Sequence, residues 1–129
     1  MIDSFKPSVV SAEGLLIILK TKIKKENMIK LTVMYPNSAD VKFDKDYYTN
    51  QHSQLLKDLL GDAIMSSDIN MGISGASPDQ PAPYVVIANL VFKSMESFQQ
   101  SFGANAEKIL ADLQNFTNVK PDVQISEVI

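Results

Sequence analysis

Residues 84–92, YVVIANLVF, limit what this chain can fold into more than any other stretch. They are apolar at nearly every position, enter from a loop holding Pro78, Pro81 and Pro83, and end just before Ser94. A short apolar run bounded in this way reads as a strand with both faces buried. Such a strand needs partners at its edges and layers against its faces, and the rest of the chain supplies candidates for both.

The segment MIKLTVMY alternates, with Ile29, Leu31, Val33 and Tyr35 on one face and Lys30, Thr32 and Met34 on the other, the period of a strand. Pro36, Asn37, Ser38 and Asp40 then favour a loop. Asp44 is placed to cap a helix that runs to about Leu60, where Gly61 supplies the stop. A second strand is expected, with weaker alternation, somewhere within AIMSSDINMGI. The GISG that ends this stretch is no phosphate cradle, because a proline-rich loop and a strand follow it instead of a helix N-terminus.

Ser94 caps a second helix, MESFQQSFGANAEKILADL, with Phe98, Phe102, Ile109 and Leu113 at helical spacing and Gly103 weakening its middle. The terminal DVQISEVI alternates again as a strand. The order is therefore βαββαβ, an α+β class chain of the split, ferredoxin-like type. Two helices cover only one face of four strands, so Val85, Ile87 and Val91, or their neighbours on the alternate face, need cover from elsewhere. A homodimer stacking sheet on sheet provides it, as would the first 27 residues folded back over the sheet.

Composition narrows the function classes. A chain of 129 residues suits one domain, and 45% hydrophobic with 21% charged residues is ordinary for a soluble globular protein. A net charge of -3 offers no basic field for phosphates, so no nucleic-acid partner is expected. With no cysteine there are no disulfides, thiolate metal sites or cysteine nucleophiles, and a cytoplasmic location fits. GLLIILK is far shorter than a membrane span, and its flanks, Asp3 and Glu13 before and four lysines after, are not those of a secretory signal. Met28 stands directly before the first strand, and the codons of Lys25 and Glu26 can spell a ribosome-binding sequence. Residues 1–27 are thus expected to be an extension before a natural start at Met28, with an amphipathic helix or added strand as the alternative.

The chain has a single histidine, His52, in the first helix. At 100° per residue, Tyr48, His52, Leu55 and Leu59 share one inward face. One reading is a neutral core histidine satisfied by a carbonyl or a tyrosine hydroxyl. The other is a proton-transfer group, with Tyr35, Tyr47 or Tyr48 donating a hydrogen bond to a substrate oxygen. No Asp, Glu or His stands three or four residues after His52, so no metal is expected, and no dinucleotide, phosphate-loop or nucleophile-elbow motif is present. Any chemistry is expected to be free of cofactors.

Four stretches carry a family resemblance: MIKLTVMYP, FDKDYYTNQHSQLL, PAPYVVIANLVFKSMESFQQSF and NFTNVKPDVQISEV. In that order they resemble the EthD family of small dimeric α+β-barrel proteins, over residues 28–129. The resemblance implies a ferredoxin-like protomer and a sheet-to-sheet homodimer, and makes the first 27 residues look foreign. Phe43, Asp44, Tyr47, Tyr48 and His52 match the family's central motif, and Phe116 opens its last one. For function it implies a small hydrophobic or aromatic oxygenated ligand in a cleft between helices and sheet. Relatives in the wider superfamily are cofactor-free monooxygenases, cyclases and isomerases. On this reading His52 and Tyr48 are the catalytic candidates, and Tyr35, Tyr47, Phe43, Leu55 and Phe116 the substrate-binding ones. A noncatalytic ligand-binding or accessory protein, or a dimer with a filled core, are the alternatives. One departure is Gln54, where members often carry proline, which makes the backbone after His52 more helical.

Overall fold

A computed structural model describes residues 27–129. The expectations about an N-terminal extension and about a start at Met28 concern residues that lie wholly or mostly outside this range.

Strand β1, Ile29–Pro36, runs through the middle of a four-stranded antiparallel sheet. Helix α1 follows from Lys45 to Leu60, in three stretches: Lys45–Tyr47, a widened π turn at Tyr48–His52, and Ser53–Leu60. Strands β2, Ser66–Met71, and β3, Tyr84–Phe92, pair antiparallel across a 12-residue loop, with β2 at the sheet edge. Helix α2 spans Met95–Phe98, a π turn at Gln99–Gly103 and Ala104–Ala111, and a short 3₁₀ turn, Leu113–Asn115, ends it. Strand β4, Asp122–Glu127, closes the order β2-β3-β1-β4. This is the ferredoxin-like βαββαβ arrangement.

The local signals act as the residues require. Asp44 accepts a hydrogen bond from the Tyr47 backbone N–H at 3.0 Å, and Ser94 does the same for Ser97 at 3.0 Å, so both helices start on a side-chain cap. Gly61 ends α1 at φ +52°, a conformation that only glycine adopts without strain. The loop before α1 is fastened to the loop after α2. Asp44 N–H donates to the Phe116 carbonyl at 2.7 Å, Thr117 Oγ1 to the Lys42 carbonyl at 2.7 Å, and Lys42 N–H to Asn118 Oδ1 at 2.8 Å. These bonds set the start of one helix against the end of the other.

Both helices pack on one face of the sheet. There Leu31, Leu90 and Phe92 meet Leu60, Phe98 and Ile109, while Tyr35, Val86 and Ala88 meet Tyr48 and Phe116. β3 is less enclosed than its composition suggests. Val86, Ala88, Leu90 and Phe92 are buried against the helices, but Val85, Ile87 and Val91 are only half-buried, since among the described residues no helix covers the other face. That face also carries a polar chain in which Thr32 Oγ1 donates to Asn89 Oδ1 at 2.7 Å and Asn89 Nδ2 to Asp68 Oδ1 at 2.9 Å. Among the described residues no helix is long and apolar enough to cross a membrane.

A Cβ added at Gly72 would run into the Tyr84 carbonyl oxygen, which is backbone and cannot rotate away. Gly72→Ala is therefore expected to cost about 1–3 kcal/mol by forcing the β2–β3 connection apart, measured by chemical denaturation. Phe92→Ala, at a fully buried position, is expected to cost about 3–5 kcal/mol.

Candidate active site

The π turn in α1 decides which side chains face inward. Ser53 N–H bonds to the Tyr48 carbonyl, five residues back, and Ser53 Oγ donates to the same oxygen at 3.1 Å. An extra residue in one turn moves the inward stripe on by a position. Counted from Tyr48 on a regular helix, Leu55 shares its face; with the extra residue Leu56 takes that place and borders a cavity, and Leu55 does not. Beyond the turn Ser53–Leu60 is regular helix, as Gln54 in place of proline implies, and Gln54 Nε2 donates to Asp58 Oδ1 at 2.8 Å.

His52 is 3% exposed. Its ring stacks on Tyr48, with centroids 5.4 Å apart and planes 17° apart, and lies 4.8 Å from the Phe116 ring. Its Nδ1 is 2.8 Å from Oδ2 of Asp112, at the C-terminal end of α2. The other oxygen, Oδ1, accepts from the Tyr47 hydroxyl at 2.6 Å and from Asn115 Nδ2 at 2.9 Å. Among the described residues no hydrogen-bond partner reaches His52 Nε2. A carboxylate at a helix C-terminus faces the negative end of the dipole and needs donors to hold it there. Partial burial pushes the Asp112 carboxyl up, but hydrogen bonds from Tyr47, Asn115 and His52 outweigh this and hold it below its ordinary value.

The cavity occupies about 290 Å³ between the covered face of the sheet and the two helices. Leu31, Val33, Ala88 and Leu90 form its floor and Leu56, Phe102 and Ile109 its roof. Tyr35, Tyr48 and His52 also border it, and exposed Lys57 stands where it meets solvent. Burial pushes the Tyr48 hydroxyl up to about 12, partly countered by Tyr35. Burial, reinforced by Tyr48, pushes Tyr35 higher still. Both phenols therefore stay neutral at physiological pH, and Tyr48, the acceptor of the pair, keeps its own hydroxyl hydrogen to donate.

Of the residues singled out from sequence, Tyr35, Tyr48 and His52 come together at the cavity wall. Tyr47 instead holds Asp112. Phe43 and Phe116 do not border the cavity; they form the aromatic cluster behind it, with Phe43 5.1 Å from Tyr35 and from Tyr48, centroid to centroid. Asp112 and Asn115 escaped sequence reading. The one signal was an aspartate in the last turn of a helix, where charge is unfavourable without a partner. No group of three or more metal-ligating side chains forms among the described residues.

Comparison with protein families matches residues 37–120 to the EthD domain. The chain belongs to the EthD family. An EthD-like protein from Ralstonia eutropha JMP134, known from its crystal structure, is 33% identical, with a TM-score of 0.75 over 81% of this chain and 94% of its own. An EthD family protein from Bacillus halodurans C-125 shares the fold at 18% identity, with a TM-score of 0.55 over 79% of this chain and 99% of its own. No curated protein matches. Asp44, Tyr47, Tyr48, His52, Asp112 and Asn115 all fall within the matched EthD span.

The lowered Asp112 carboxyl has a consequence for stability. A group depressed on folding stabilises the folded state above its ordinary value of 3.8 and loses that contribution as pH falls through the folded value. Asp112→Asn is thus expected to shallow the acid limb of a stability-against-pH curve, measured by urea unfolding. Tyr35 and Tyr48 work in the opposite sense. Their raised values stabilise the fold below pH 10 and the contribution fades as pH rises beyond it. Phenolate absorbance is expected to show them ionising only as the protein unfolds.

Proposed function

We propose that this EthD protein is a cofactor-independent enzyme acting on a small hydrophobic or aromatic oxygenated compound in a degradative or secondary-metabolic pathway. The observation that carries this reading is the placement of the single imidazole, beside two un-ionised phenols, in the wall of a mostly apolar cavity. Pockets with apolar walls and a few convergent polar groups are the usual form of a small-molecule site.

In the proposed step, neutral His52 removes a proton from carbon next to a substrate carbonyl. The C–H electron pair moves into a new C–C double bond, the carbonyl π pair moves onto oxygen, and Tyr48 donates a hydrogen bond to that oxygen. The imidazolium is paired with the Asp112 carboxylate while it exists. Returning the proton to another carbon gives an isomerase. Attack of the nucleophilic carbon on a second carbonyl of the same molecule gives a cyclase; addition to dioxygen gives a hydroperoxide that loses water to leave one oxygen as a new carbonyl, a monooxygenase type.

A second reading rests on the same apolar walls: a noncatalytic protein that holds such a ligand, or accompanies an oxygenase, without transferring protons. We further propose a domain of residues 28–129, a cytoplasmic setting, and a homodimer joined through the half-buried face of the sheet, where Ile87 and Val91 lack cover among the described residues.

The experiment that tests the function is imidazole NMR with a panel of aromatic and polyketide-like carbonyl compounds. His52 resonances are expected to shift on ligand addition. With a substrate so identified, His52→Ala is expected to lower turnover about 10²–10⁴-fold, and Tyr48→Phe to lower it less. Ligand binding with turnover unchanged in His52→Ala favours the noncatalytic reading, and a ring that ignores every ligand counts against both.

A further inference from the structure

We propose that Asp112 is a positioning residue that fixes the neutral His52 ring as its Nδ1–H tautomer, and thereby makes Nε2 the basic nitrogen presented to the cavity. The inference depends on the proposed function only for the use made of Nε2; the tautomer itself follows from the hydrogen-bond arrangement.

Oδ1 of Asp112 already receives two donors, the Tyr47 hydroxyl at 2.6 Å and the Asn115 amide at 2.9 Å. An ionised carboxylate only accepts hydrogen bonds, so the 2.8 Å contact between Oδ2 and Nδ1 requires the hydrogen to sit on Nδ1. Histidine free in water favours the other tautomer, with the hydrogen on Nε2. The protein therefore works against the intrinsic preference, and the energy comes from a charge-assisted bond at a ring that is 3% exposed. The consequence is functional: in the opposite tautomer, Nε2 carries a hydrogen and can only donate to whatever enters the cavity.

The arrangement also says what an isosteric change will do. In Asp112→Asn, Tyr47 and Asn115 still demand an oxygen at the Oδ1 position. The new amide nitrogen must then occupy the Oδ2 position and point its hydrogens at His52 Nδ1. That nitrogen becomes an acceptor and the hydrogen moves to Nε2.

The test is ¹⁵N NMR of the single histidine in ligand-free protein, at a pH where the ring is neutral. The wild type is expected to show Nδ1 protonated and Nε2 bare, and Asp112→Asn the reverse, with the rest of the spectrum unchanged. Should Asp112→Asn not fold, Asp112→Ala reads the same quantity, since water then serves Nδ1 in either form and the intrinsic Nε2–H preference returns. A wild-type ring protonated on Nε2 overturns the inference, as does an Nδ1–H ring that survives the substitution in a folded variant. A cavity that takes no ligand counts against the proposed function and leaves this inference standing.

Discussion

One hydrogen bond, from the His52 ring to Asp112, joins side chains 60 residues apart and ties the middle of the first helix to the end of the second. Both partners are largely out of water, with side chains 4% and 13% exposed, so losing the bond leaves a polar group that another partner must satisfy. Much of the surrounding structure serves this contact. The Asp44 cap starts α1, the π turn carries the buried Tyr48 and His52, and the bonds from Asp44, Lys42 and Thr117 hold the two helix ends in register. Tyr47 and Asn115 then satisfy the carboxylate oxygen that His52 leaves free.

The same contact divides the interior into two regions of different character. On one side lies a dense aromatic cluster of Phe43, Phe116, Tyr47 and Tyr48, whose rings meet at centroid distances of 5.1–6.1 Å. On the other lies the open, mostly aliphatic cavity. His52 is the boundary between them. The cluster packs one part of the ring, the carboxylate takes Nδ1, and the ring still borders the cavity. In such a low-dielectric setting a single well-placed nitrogen interacts more strongly with an incoming polar group than it would in water. That is why one histidine and two phenols are enough to define a site.

Much of the fold was legible from residue pattern. The apolar run Tyr84–Phe92 and the alternation from Ile29 to Tyr35 mark the two central strands, and Asp44, Gly61 and Ser94 mark helix ends by simple capping chemistry. β2 was weaker because its edge position leaves Ser66 through Asn70 exposed, with no buried face to impose alternation. Sequence periodicity misplaced Leu55, since no local signal announces that a turn of α1 holds an additional residue. Asp112 was hidden for another reason. Its partner is distant in sequence, and only the folded loops around Phe116 bring the two together.

If His52 Nε2 and the cavity form one site, a ligand in the cavity must meet that nitrogen. A high-resolution crystal structure with a small aromatic ketone bound would test it most directly. The ketone's ring is expected among Leu56, Leu90, Phe102 and Ile109, and its carbonyl end beside Tyr48 and His52 Nε2, with Nδ1 still on Asp112. A cavity filled by protein side chains, or a ligand bound with its oxygen turned away from His52, would contradict it and leave the histidine as a core residue.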